Sequence, residues 1–181
     1  MKFKLNVNTS EKDYLEFNKF LLVRSHYGKN QVASFRVMIT IIFLSFVILS
    51  LSEEGFTLDF AIVAIPLIIG LILCQIFSKR LLGLSVKSTL NGFKKKGKMA
   101  YDPSVVLEFY EDSFVEIAPL KKIEYDYSLI ERISVVDNKY IYLHTNSAAA
   151  NILPMSCFES EEQKNSFLEF IKTKCAIVDV Y

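Results

Sequence analysis

The alternation of apolar and polar positions changes character along this chain. Residues Lys2–Asn8 alternate, with Phe3, Leu5 and Val7 apolar against Lys4 and Asn6, the period of a β-strand. Thr9 or Ser10 then offers a helix cap, Glu11 and Asp13 fall in the first turn, and Tyr14, Phe17 and Leu21 recur at helical spacing. Periodicity disappears at Val37–Leu51 and Phe56–Phe77, which are apolar throughout and separated only by Ser52, Glu53, Glu54 and Gly55. A helix rises about 1.5 Å per residue and needs about 20 residues to cross hydrocarbon. The second run has 22, and the first reaches 20 if it begins at Val32, with Arg36 extending to the head groups. The pair therefore predicts a transmembrane hairpin, 32–51 and 56–77. So small a chain could not cover two such helices in a soluble core.

The helical period returns over Ser78–Lys96, where Leu82, Val86, Leu90 and Phe93 form an apolar stripe. Arg80, Lys87 and Lys94 repeat every seven residues on another face, and Lys95, Lys96 and Lys98 follow. Beyond Ser104 the period becomes two, predicting strands over 105–110, 114–118, 122–127, 132–136, 140–144 and 149–153. Asp137 and Asn138 tolerate positive φ and suit a two-residue hairpin. Ser160 with Gln163 three residues on caps a final helix, whose apolar face holds Phe167, Leu168 and Ile171. The predicted organisation is a strand and amphipathic helix (1–31), the hairpin (32–77), a basic juxtamembrane helix (78–99) and a head (100–181). The fold class is an α+β membrane protein whose head is an antiparallel split barrel closed by a C-terminal helix. That order also describes the pleckstrin-homology-like (PH-like) fold, with Lys2–Asn8 available as its seventh strand.

Charge gives the hairpin an orientation. The net charge of +1 conceals seven bases against three acids up to Arg36, and seven bases with no acid over Lys79–Lys98. From Tyr101 onward seven bases face fourteen acids, while the connecting turn carries acids and no base. Positive flanks on one side predict a multi-pass protein of the cell membrane with both termini cytoplasmic. No charged n-region precedes the first run, so no cleaved leader is expected. Arg80, Lys87, Lys94, Lys95, Lys96 and Lys98 are candidate contacts for anionic lipid of the inner leaflet. The lysine run lacks interleaved aromatics and adjoins an acidic head, which disfavours nucleic acid.

Candidate chemistry is sparse. Cys74, Cys157 and Cys175 show no metal or redox spacing, and His26 and His144 have no ligand-type residue nearby in sequence. Gly28 and Lys29 lack the context of a phosphate loop. Glu108, Glu111, Asp112 and Glu116 straddle a hairpin and read as a solvated edge. No catalytic residue, cofactor or metal is expected. Tyr140, Tyr142 and His144 should share the face opposite Ile141 and Leu143. This row is a candidate partner surface unless the terminal helix covers it.

Asn8–Phe20 (NTSEKDYLEFNKF), the hairpin, Leu107–Ile117 (LEFYEDSFVEI), Tyr125–Ile133 (YDYSLIERI) and Ile152–Ile171 (ILPMSCFESEEQKNSFLEFI) resemble the YcxB-like family of bacterial membrane proteins. The resemblance implies two membrane helices with a cytoplasmic PH-like C-terminal domain, and no particular activity. Pro154 and Phe158 follow the family pattern, whereas Met155 and Ser156 stand where a basic residue is expected. The expected function is a non-enzymatic, membrane-anchored interaction module that binds a cytoplasmic protein or the inner leaflet, with a homo-oligomer as a further expectation. The alternative is a small membrane-embedded immunity or stress-protection protein, for which a neighbouring toxin gene would speak.

Overall fold

The computed structural model describes residues 1–53 and 55–181, so Glu54 of the predicted acidic turn lies outside the described residues. The chain is α+β, with two long apolar helices and two four-stranded sheets. By its contacts it divides into two units, Met1–Phe17 with Phe93–Tyr181, and Asn18–Gly92.

In the first unit β1 (Phe3–Asn8), β2 (Ser104–Phe109), β3 (Ser113–Ala118) and β4 (Lys121–Asp126) form an antiparallel sheet in that order. The N-terminal strand is thus a full member, pairing Leu5 with Leu107 and Phe3 with Phe109. The second sheet contains β5 (Arg132–Val136), β6 (Tyr140–His144), β7 (Ala150–Pro154) and β8 (Val178–Val180) in the order β7-β6-β5-β8. Asp137 and Asn138 turn β5 into β6 at φ 49° and 53°, the left-handed region that a primed two-residue turn requires. The six strands expected in the head are present within one residue of their predicted ends. What the sequence did not reveal is β8, whose three residues are too few to carry a period. The two sheets are hydrogen-bonded separately, and among the described residues no ladder closes them into a barrel.

One core holds this unit together. Leu5, Leu107, Phe109 and Phe114 enter it from the first sheet, and Ile133, Ile141, Leu143 and Leu153 from the second. Helix α4 (Glu161–Lys172) adds Phe167 and Ile171. It starts as predicted, with Ser160 Oγ accepting the Gln163 N–H at 3.2 Å. Helix α1 (Glu11–Arg24) opens with a reciprocal cap. Ser10 donates its backbone N–H and its hydroxyl to Asp13, whose own N–H points back to Ser10 Oγ at 3.3 Å.

The second unit is helical. Helix α2 (His26–Glu54) begins six residues before Val32, because Ser25 caps it by accepting the Gly28 N–H at 3.0 Å. The same hydroxyl donates to the Leu21 carbonyl at 2.6 Å, which binds the end of α1 to the start of α2. Gly28 is required at this corner, since a Cβ there would meet Leu21 O at 1.9 Å and Leu22 Cα at 2.5 Å. Both are backbone atoms and cannot swing aside. Gly28→Ala should therefore destabilise the helical unit by about 1–3 kcal/mol, as overpacking does. Gly83→Ala, where the added methyl meets nothing within 4 Å, should be neutral or slightly stabilising. Far-UV circular dichroism during thermal unfolding in detergent separates the two.

Helix α3 (Leu58–Lys95) runs unbroken through the apolar segment and the basic one, with Pro66 inside it. Arg36 is fixed to α3, its Nε donating to Ser78 Oγ at 2.9 Å and its Nη2 to the Gln75 carbonyl at 3.2 Å. Gln75 Nε2 returns bonds to the Arg36 carbonyl at 3.1 Å and Thr40 Oγ1 at 2.8 Å. This network pins the register of the two helices, and Gly70 admits the Phe43 ring beside it. Most of their remaining surface is bare: Ile41, Phe46, Ile48, Ile62, Ile72 and Ile76 are exposed. Both helices are long and apolar enough to cross a membrane, and only 6% of each apolar window is buried within the protein.

Candidate interaction surfaces

The basic segment owes its arrangement to the end of α3. Gly97 takes φ 66°, its N–H bonds the Lys94 carbonyl at 2.9 Å, and the Lys98 N–H bonds the Phe93 carbonyl at 3.0 Å. This is a Schellman cap, and it gathers Lys94, Lys95, Lys96 and Lys98 where the helix dipole favours cations. Lys94 forms an ion pair with Glu11, while Lys95, Lys96 and Lys98 project into solvent. Arg80 and Lys87 are exposed on the same helix, spaced by roughly 10 Å per seven residues. The six cations predicted as lipid contacts thus fall into a cluster of four at the helix end and two spaced along it.

Of the row Tyr140, Tyr142 and His144, the last two are internal and Tyr140 is half-buried. Tyr142 and His144 are 0% exposed, and they face α1 rather than solvent. Phe17 packs edge-on against Tyr142 with ring centroids 5.0 Å apart, and its ring lies 6.1 Å from His144. Tyr140 donates its hydroxyl to Asp13 Oδ1 at 2.8 Å, and its own pKa is pushed up to about 12 by burial and that carboxylate. Burial works against ionisation of Asp13 as well, yet the bonds from Ser10 and Tyr140 outweigh it and lower the pKa. The expected exposed row is therefore corrected to a covered one. Its cover is the N-terminal helix, not the terminal helix that was the alternative. Alternation identified the shared face correctly; it could not reveal that a helix distant in sequence lies on it.

His144 is held as a neutral ring. Its Nε2 lies 3.1 Å from Ser134 Oγ, and burial, helped by Arg132 nearby, depresses its pKa from 6.5 to about 4. Such a group is structural, as it is sealed from any substrate.

A second polar cluster departs from the expected solvated edge. Glu116 is 6% exposed and pairs with Lys121 at 2.7 Å, Lys121 also reaches Asp102 at 2.9 Å, and Tyr125 donates to Glu116 at 3.4 Å. The hydrogen bonds that Lys121 donates to Asp102 and Glu116 hold it firmly in its charged form. Glu108 pairs with Lys4 at 3.0 Å, and Glu111 with Lys2 and Lys174, each at 3.1 Å. These pairs tie β1 and the chain after α4 to the β2–β3 hairpin.

Cys157 lies in the short turn Met155–Cys157, and burial pushes its thiol up to about 12, so it is inert at neutral pH. Ser156, at a position expected to be basic, is exposed in this turn. Phe158 packs on Phe167 at 5.4 Å. Among the described residues no group of three or more His, Cys, Asp or Glu could hold a metal ion.

No curated protein and no solved structure matches this chain. Residues 109–171, from the end of β2 through most of α4, match the sequence model of YcxB-like protein, which supports the resemblance read at Tyr125–Ile133 and Ile152–Ile171; Asn8–Phe20 and the hairpin lie outside the match.

Proposed function

We propose that the chain is a non-enzymatic, membrane-anchored interaction module. In this reading α2 and α3 form a transmembrane hairpin, both ends of the chain are cytoplasmic, and the two-sheet unit is a PH-like domain that engages a protein partner or the inner leaflet. The observation that carries it is the burial of only 6% of each apolar window. Core helices of a soluble protein hide such surface, whereas lipid covers it at no cost. The helix ends that meet at the turn carry Glu53 and Asp59 and no Lys or Arg, while Arg36, Lys79 and Arg80 stand toward the other ends, as in a hairpin entered from the cytoplasm. Two antiparallel meanders followed by a helix packed into their shared core support the PH-like reading.

Impermeant thiol reagents and crosslinking test this together. Phe56→Cys should be labelled on intact cells and Lys98→Cys only after permeabilisation. Crosslinks from the head surface should trap a discrete protein or labelled anionic lipid; reversed labelling, or capture of nothing but bulk lipid and the chain itself, would count against the proposal. In mixed vesicles, Lys95→Gln with Lys98→Gln should weaken the preference for anionic over zwitterionic lipid by about 2 kcal/mol, roughly thirtyfold, at low salt. An unchanged preference, read by quenching from a labelled anionic lipid, would reduce the cluster to a topology signal.

A further inference from the structure

The sheet β1-β2-β3-β4 ends on β4, and among the described residues no strand pairs with its outer side. The other end of the sheet is β1, which lies beside β7, so β4 is the open edge. Five of its six residues are exposed, and Tyr125 is half-buried. Such an edge offers unpaired N–H and C=O groups to another strand, and proteins commonly guard it with lysine, proline or a bulge. β4 has no proline, and its register with β3 runs without a bulge from Asp126 opposite Ser113 to Lys121 opposite Ala118. Its charges are of both signs, with Lys121 and Lys122 at one end and Glu124 and Asp126 at the other. The register places Lys122, Glu124 and Asp126 on one face, and Lys121, Ile123 and Tyr125 on the other.

The order of these charges makes the strand complementary to itself. An antiparallel β4 from a second copy meets the edge about a twofold axis normal to the sheet, which keeps each face continuous and sets one residue opposite its own copy. Centring on Lys121, Lys122, Glu124 or Asp126 would place that charge against itself, and centring on Tyr125 would place Glu124 against Asp126 twice; like charges directly opposite repel. Only the centre at Ile123 avoids this. Lys122 then lies opposite the partner's Glu124, and Glu124 opposite the partner's Lys122, on one face. On the other face Ile123, 37% exposed, meets its own copy, and Lys121, already paired with Asp102 and Glu116, falls opposite the partner's Tyr125.

We infer that β4 is the edge through which two copies of this chain associate, by antiparallel pairing centred on Ile123 with two reciprocal Lys122–Glu124 ion pairs. So short an interface buries little area, and confinement of both copies to one membrane supplies the local concentration it needs. The inference rests on the reading of the chain as membrane-anchored, and it names the occupant of an edge which that reading leaves open.

The test reconstitutes the full chain in vesicles, with donor and acceptor dyes on separate copies, and reads energy transfer against surface density. Lys122→Glu and Glu124→Lys each set like charges opposite one another, and either alone should weaken association about tenfold. Mixed together, the two variants have opposite charges at both positions and should recover the wild-type transfer. Recovery on mixing is something a folding defect could not produce, and near-UV circular dichroism confirms that each variant is folded. Oxidative crosslinking checks the register. Ile123→Cys should link to its own copy about tenfold faster than Ser128→Cys, an exposed position beyond the strand, because a disulfide needs its two Cβ atoms about 4 Å apart. Wild-type transfer no greater than random proximity gives, a mixture that does not recover, or equal crosslinking at the two positions overturns the inference. So does transfer that neither charge substitution moves, because the copies then meet elsewhere. The labelling of Phe56→Cys and Lys98→Cys does not depend on β4. Expected labelling without pairing sinks this inference alone, whereas reversed labelling sinks the anchored reading.

Discussion

Phe167→Ala should lower the stability of the two-sheet unit by about 3–5 kcal/mol, the range for truncating a fully buried Phe. Phe167 is 0% exposed and meets Phe109 at 4.9 Å, Phe158 at 5.4 Å and Phe3 at 5.5 Å between ring centroids. Those partners come from β2, the turn after β7, and β1, so one truncation loosens contacts to both ends of the sequence. Rigid strands on either side limit collapse into the space left, and the cost should fall in the upper part of that range. Denaturant unfolding of the full chain in detergent, followed by near-UV circular dichroism, measures it. Phe56→Ala serves as the control: Phe56 is 88% exposed and should leave the head's transition where it was. A loss below about 1 kcal/mol for Phe167→Ala would contradict the shared core.

The second large effect is a dependence on pH. His144 has a folded-state pKa of about 4 against 6.5 when unfolded. Between these values the unfolded chain binds a proton that the folded one refuses, so stability rises with pH across that window. Above pH 6.5 the contribution is fully present; it is lost as pH falls toward 4. The full difference is about 3 kcal/mol, from 1.36 kcal/mol for each pKa unit. Unfolding midpoints at pH 7.5, 6.5, 5.5 and 4.5 should show the decline in the wild type and its absence in His144→Gln. Asp13 and Glu162 have lowered pKa values and destabilise the fold only in more acidic solution; both remain in the variant, so the difference between the two curves isolates His144. Parallel curves would mean that the histidine is not sealed as its contacts imply.

Both effects depend on α1 and β1, which lie more than ninety residues before the strands they serve. The local period identified them as a helix and a strand. It did not reveal that the helical segment is inserted between the first two strands of one sheet, or that Phe17 covers Tyr142 and His144. A strand covered on both faces still alternates in composition, because aromatic rings with polar tips can be buried against a helix as readily as they can face water. Glu116 read as solvated because it is a carboxylate in a strand flanked by an acidic turn, while its burial follows from pairing with Lys121 across the β3–β4 hairpin.

The sequence by itself determined the features that depend on neighbours in the chain. These are the two apolar runs, the strand periods of the head, a cap at Thr9 or Ser10 and one at Ser160, and the positive-φ turn at Asp137 and Asn138. Each reflects a constraint acting over a few residues, so its signal is written where it acts. Only the tertiary structure decided what is covered and what is open: the tyrosine row under α1, the need for glycine at position 28, the Arg36 bonds to α3, and the parallel strand on the β5 edge. Burial and close approach are set by residues far apart in the chain, and no local period records which distant segment will be there.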